Sequence, residues 1–266
     1  MGKIVAFWSG WHGRGNTSNC IAASMQFSML NNYESLITHT QYTRSSMEDV
    51  FLTGKEDDDI LKFSDFGLDS LERALRTGRL ETKSFNDYSV NIVPKKLEFL
   101  PGSKKTDLKL YQNSIGQTII DIVLFANSSK DVTFIDVGST SNDQTTKKVL
   151  DIADIIFVTL DQSNIVLKDF FENQIRFLEQ LEDKEIILLI GRYDTDSKYS
   201  IKKIKKDFNY PGEIIGIPYV TEYFEALNTN SVKKFFDKYY TLENEQFFDS
   251  LTYINDIILE FIEQEG

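Results

Sequence analysis

Short, nearly uninterrupted apolar runs recur along the chain at residues 4–8, 35–38, 97–100, 132–137, 155–160, 186–190 and 214–217. Strands covered on both faces read this way, because neither face returns to water and the apolar/polar alternation of a half-exposed strand disappears. Between most of these runs lie amphipathic stretches of helical period, among them 108–125, 164–181 and 232–240, and a largely apolar stretch at 17–30 follows the first run. Strand alternating with helix predicts an α/β protein: a three-layer α/β/α sandwich around a mostly parallel central sheet of about seven strands. No internal repeat, low-complexity segment or linker interrupts the pattern and the chain has only four prolines, so residues 1–266 read as a single domain. Two stretches fall outside the alternation. The acid-rich residues 54–59 read as a loop or a frayed helix start, and residues 82–96, the least periodic, as a connection between helix and strand.

The chemistry gathers where the first strand, residues 3–8, turns into the helix at 17–30. The turn reads Gly10-Trp11-His12-Gly13-Arg14-Gly15-Asn16-Thr17-Ser18. In a phosphate loop, G-x-x-x-x-G-K-[ST], glycines let the backbone curl so that successive N–H groups meet phosphate oxygens. The lysine neutralises the outer phosphates and the hydroxyl ligates magnesium. Here Gly10, Gly15 and Thr17 keep that register while Asn16 stands in the lysine's place. An ordinary tight turn would also carry glycines, but the strand before and the helix after are the context that phosphate binding at a helix N-terminus requires.

Taken in order, the motifs make the chain similar to the ParA/MinD-type ATPases, the deviant Walker A branch of the P-loop fold, over residues 3–236. That family's first loop reads K-G-G-x-G-K-T-T. Trp11 replaces its signature lysine, which reaches across a nucleotide-sandwich dimer, and Asn16 replaces its loop lysine. The family's D-x-D strand end corresponds to Thr38 and Thr40, and its strand ending in a magnesium-shell aspartate corresponds to Phe134-Ile135-Asp136-Val137-Gly138. The runs 97–102 and 153–158 resemble later family strands. Gly191-Arg192 falls at an adenine-contacting position, and Ile217-Pro218-Tyr219 with Glu225-Ala226 resembles the loop that closes over the base. The resemblance therefore implies a nucleotide site of Gly10, His12, Gly13, Arg14, Gly15, Asn16, Thr17, Ser18, Arg192, Pro218 and Tyr219, with ATP as ligand and Mg²⁺ held by Thr17 and Asp136.

Phosphoryl transfer in this fold is mostly positioning and electrostatic stabilisation, so each lost charge is a lost part of the machinery, commonly on the order of 10²–10³ in rate. The sequence names no catalytic residue: both lysines and both D-x-D carboxylates are absent, which implies weak hydrolysis or none. Arg14 and His12 are the residues in reach to compensate, His12 by donating to a phosphate or pairing with Asp136; the plainer readings put Arg14 in solvent and His12 at a turn. Three functions follow from the resemblance. The first is a degenerate nucleotide-binding factor that positions or assembles secretion or pilus machinery, as in the TadZ/CpaE group. The others are an active ATPase for plasmid or chromosome partition, and a scaffold that has lost its nucleotide. Each implies a protein partner, and the family implies a homodimer.

A formal charge of −12 opposes general attraction to nucleic acid or anionic lipid. Any nucleic-acid contact would have to be local, at Lys198, Lys202, Lys203, Lys205 and Lys206, and a solvated helix bracketed by Asp196 and Asp207 is the plainer account of those lysines. Residues 241–266 read as an acidic amphipathic helix whose Phe248, Leu251, Ile254, Ile258 and Phe261 pack on the core or a partner helix, since their acidic neighbours repel anionic lipid. No run approaches the ~20 apolar residues of a transmembrane span, and Cys20 alone forms no internal disulfide. A cytoplasmic protein is expected, drawn to a cell pole or membrane-associated complex only through a partner. His39 has no second His or Cys at ligand spacing, which argues against zinc.

Overall fold

The computed structural model describes residues 2–42, 45–52, 66–79, 85–139, 143–178, 181, 184–239 and 244–264. The acid-rich stretch 54–59 lies outside them, as do residues 82–84, 179–180, 240–243 and 265–266 of the segments discussed above. The strands are β1 (Lys3–Trp8), β2 (Ser35–His39), β3 (Val90–Val93), β4 (Leu97–Leu100), β5 (Val132–Asp136), β6 (Ile155–Leu160), β7 (Glu185–Tyr193) and β8 (Ile214–Pro218). They form one sheet in the order β3-β4-β2-β5-β1-β6-β7-β8. Every pairing is parallel except the β3–β4 hairpin.

The sheet thus has eight strands among the described residues, one more than the hydrophobic pattern predicts, and the additional strand is β3, inside the stretch read as a connection. An edge strand needs no continuous apolar run: Val90, Ile92 and Val93 are half-buried and Asn91 is exposed. A tight turn with Lys95 in left-handed backbone (φ 62°) returns it onto β4.

Helices cover both faces: α1 (Asn16–Leu30), α2 (Met47–Phe51), α3 (Leu68–Arg76), α4 (Leu108–Asn113), α5 (Ile115–Ser128), α6 (Gln144–Ile152), α7 (Asn164–Asp169), α8 (Ile201–Asp207), α9 (Thr221–Asn228), α10 (Val232–Tyr239) and α11 (Glu245–Glu263). The period that predicts one helix over 108–125 runs through two, because Ser114 turns the chain (φ −111°, ψ −84°); Tyr111 and Ile115 on either side of the break are buried, whereas Leu108 and Leu110 are exposed. Likewise 164–178 is α7, a π-helical stretch Phe170–Gln174, and a last turn Ile175–Leu178.

Alternation along each strand divides the core in two. On β1, Val5 and Phe7 face α1 and α11, while Ile4, Ala6 and Trp8 join the core beneath α5 and α6. Helix α1 is wrapped by protein from Asn19 to Ser28, and Gln26 in this stretch bonds internally: its Nε2 donates to Phe248 O and Thr252 Oγ1, both at 3.2 Å. Phe247, Phe248, Leu251, Ile254 and Ile258 of α11 are buried in the core shared with α1, and Phe261 packs against it half-buried. No helix among the described residues is long and apolar enough to cross a membrane. The parallel strands leave their carboxyl ends along one edge, where α/β sheets place their ligands.

Candidate functional site

At that edge the loop after β1 crosses between β5 and β6, the strands that flank β1. Gly15 is the N-cap of α1 with φ 91°, a conformation that a Cβ makes costly, and no side chain caps the helix. At Gly10 a Cβ would run into the side-chain amide of Gln174, which would have to turn aside. The loop therefore delivers the first-turn amides of a 15-residue helix toward whatever lies above it.

Asp136 ends β5 directly beneath this loop and is fully buried. Asn16 Nδ2 donates to its Oδ1 at 2.7 Å and to Phe7 O at 2.9 Å. Thr17 Oγ1 and Gln41 Nε2 donate to its Oδ2 at 2.7 and 2.8 Å. Burial pushes the Asp136 carboxyl above its ordinary range, and these three hydrogen bonds, with the charge of nearby His39, only partly offset that push. The loop-lysine position is thus filled by a neutral carboxamide turned down onto the carboxylate. Asn16 Oδ1 and Asn19 Nδ2, both buried, have no hydrogen-bond partner among the described residues.

Trp11, at the signature-lysine position, is held within its own chain. Its Nε1 donates to Asp169 Oδ2 of α7 at 2.8 Å, and the Arg14 guanidinium lies 5.6 Å from its ring centre. Arg14 itself pairs with Asp161 just past β6, with both side chains largely buried. The plainer expectation for Arg14, solvent, is replaced by this ion pair. Exposed His12 lines the cavity above the loop, and the hydrogen bonds to Asp136 come from Asn16, Thr17 and Gln41.

That cavity has a volume of about 670 Å³, within the range of small-molecule sites. Its floor includes His12, Gly13, Gly15, Asn16, Thr17 and Ser18, and its far wall includes Arg192, Pro218 and Tyr219. Gly10, Arg14 and Asp136 support the floor from behind. Arg192 sits at a bulge of β7 in left-handed backbone (φ 51°), and its guanidinium reaches Gly13 O across the loop. Tyr219 and Phe224, half exposed with ring centres 5.9 Å apart, stand at the rim, while Tyr223 ties α9 to α1 through a 2.6 Å bond to Ser18 O.

The chain has the fold of the ParA and MinD ATPases. A ParA family ATPase from Chlorobium tepidum TLS superposes with a TM-score of 0.74 at 19% identity, over 97% of this chain and 99% of its own. MinD from Pyrococcus horikoshii OT3, complexed with Mg-ADP, gives 0.73 at 13% identity over 98% and 99%. A plasmid partition protein from Borrelia burgdorferi B31 bound to AMPPNP gives 0.68 at 16% identity, over all of both chains. No family profile matches the sequence. Nor does any curated protein sequence.

Against this fold, Thr38 and Thr40 are both buried. Thr38 Oγ1 donates to Leu100 O at 2.9 Å, and Thr40 Oγ1 accepts from Gly138 N at 3.3 Å. The residue that reaches the carboxylate is the next one, Gln41, which the sequence does not single out. His39, at the end of β2, lies 2.7 Å from Glu48 Oε1, which also accepts the Gly102 N–H at 2.8 Å. The five lysines flank or lie on α8, where Lys203 pairs with Asp207 and Lys205 with Glu213 at 3.6 Å.

Thr17 and Asp136 fit the magnesium role by the chemistry of their atoms. The Thr17 hydroxyl gives its proton to Asp136 and keeps oxygen lone pairs, and a buried carboxylate raised by desolvation is stabilised by any cation brought beside it.

Proposed function

We propose that this chain binds a nucleotide in the cavity over its glycine loop and acts by location and recruitment, with weak hydrolysis or none. The observation that carries the reading is the buried Asp136 joined to Thr17 beneath a glycine loop, opening on the same 670 Å³ cavity as Arg192, Pro218 and Tyr219. In this reading the α1 amides and Ser18 bind the phosphates, Arg192 and His12 supply positive or donor character, and Tyr219 with Phe224 covers the base. Mg²⁺, held by Thr17 and Asp136, would neutralise charge on the outer phosphates. Weak turnover follows from the carboxamide at Asn16 and from Thr38 and Thr40, which offer no carboxylate to orient water.

The biological role that suits such a protein is positioning or assembly, with a protein partner of secretion or pilus machinery or a second copy of the chain, inside the cytoplasm or at a partner's membrane complex. Partition of DNA by an active ATPase is supported by the likeness to a plasmid partition protein. The turning of Arg14 onto Asp161 weighs against it, because that guanidinium is then not offered to a phosphate.

Thermal unfolding with ATP or AMPPNP, with and without Mg²⁺, tests the reading alongside a phosphate-release assay. A ligand at a hundredfold its Kd adds about 2.7 kcal/mol to the native state, a rise of several degrees. A rise with both nucleotides and little phosphate released is the expected result. No rise at millimolar nucleotide would leave a scaffold, and rapid release would indicate the partition ATPase.

A further inference from the structure

The Gln41 carboxamide occupies both atoms through which the site would hold a cation. Its Nε2 donates to Asp136 Oδ2 at 2.8 Å and lies 3.4 Å from Thr17 Oγ1. Thr17 gives its own proton to the same carboxylate oxygen, so the lone pairs it would offer a metal face Gln41. Asn16 covers the other carboxylate oxygen. Two neutral amides thus serve, on the two sides of one buried carboxylate, where a phosphate-loop lysine and a metal ion would supply charge. Gln41 is only partly buried and lies two residues past the end of β2, outside the strand ladder, so its side chain has room to leave without unfolding the sheet.

We propose that Gln41 is an internal competitor of the divalent cation, and that loading of a metal–nucleotide complex requires its carboxamide to leave Asp136. This rests on the nucleotide reading of the cavity. A neutral donor on a buried carboxylate is weaker than a metal ion but is present at effectively fixed concentration, so it raises the metal concentration needed for loading without abolishing it. Removing Gln41 leaves Thr17 and Asp136 in place and frees one oxygen of each.

The test is a Mg²⁺ titration at fixed ATP, followed through the fluorescence of Trp11 on the cavity wall, in the wild type, Gln41→Ala and Gln41→Glu. A parallel calorimetric titration of ATP in EDTA reports metal-free binding. The expected result is a half-saturating Mg²⁺ concentration about tenfold lower in Gln41→Ala, lower again in Gln41→Glu, whose carboxylate adds a ligand, with metal-free ATP affinity within a few-fold of wild type for Gln41→Ala. An unchanged or higher midpoint in Gln41→Ala, with ATP still bound, overturns the competitor role and leaves the nucleotide reading intact. ATP binding absent from all three proteins at every Mg²⁺ concentration overturns both.

Discussion

Replacing Asp136 with asparagine should stabilise the ligand-free protein at neutral pH. The carboxylate is fully buried and accepts from Asn16, Thr17 and Gln41. Hydrogen bonds to a charged group contribute about 1.5–3 kcal/mol each, whereas taking a carboxylate out of water costs several kcal/mol. The direction of its pKa decides which wins: it is raised, so burial outweighs the donors and the charged form is less favourable here than in the unfolded chain. Protonation therefore favours the native state. Stability from this group is fully present below its unfolded value of 3.8 and is lost, at up to about 1.4 kcal/mol per pH unit, as pH rises toward the folded value. The carboxamide of Asp136→Asn would keep the shape and an oxygen for Asn16, and Thr17 with Gln41 can reverse to accept from its amide. The net expectation is a gain of about 1–3 kcal/mol at pH 7.5, shrinking to none near pH 4. Urea unfolding of both proteins across that range measures it. A variant less stable than wild type by a constant amount at every pH would refute the reasoning.

Asn16→Lys restores a cation at the floor of the cavity and should tighten ATP binding by about tenfold, read by calorimetry, in keeping with one charge-assisted hydrogen bond. Glu48 is pushed up by burial, but its hydrogen bond and charge interaction with His39 and the Gly102 N–H outweigh that, so its carboxyl lies below the ordinary 4.5. This stabilisation is present above that value and is lost as pH falls through the folded one, so the stability deficit of Glu48→Gln should be seen in urea unfolding at pH 7 and shrink below about pH 4. Tyr219→Ala removes a half-exposed rim ring and should weaken nucleotide binding about threefold to tenfold while leaving the unfolding midpoint unchanged.

What can be read in the sequence follows from how each feature is encoded. The seven strands other than β3 are buried over most of their length and announce themselves as apolar runs, whereas edge strand β3, with Asn91 exposed and Val90 half-buried, leaves no such run. The break at Ser114 is silent because the apolar period continues across it. The glycine loop is legible because its parts lie close together in the chain, and Asp136 because it ends a buried strand. Gln41, Asp161 and Asp169 are not, since each meets its partner across a separation of 95 to 158 residues that only the folded sheet closes. Trp11 is visible as a substitution and Arg14 as a charge within the loop, but that both turn inward onto carboxylates of their own chain is a property of the packing.

Nucleotide binding over the glycine loop is probed most directly by calorimetric titration of the wild-type protein with ATP and with AMPPNP, each with Mg²⁺ and with EDTA. Saturable binding at one site per chain is expected for both nucleotides, tighter with Mg²⁺ than without. Absence of any saturable heat at protein concentrations that detect micromolar affinity would contradict nucleotide binding, and would leave the glycine loop as the structural turn of a fold that works through its surface.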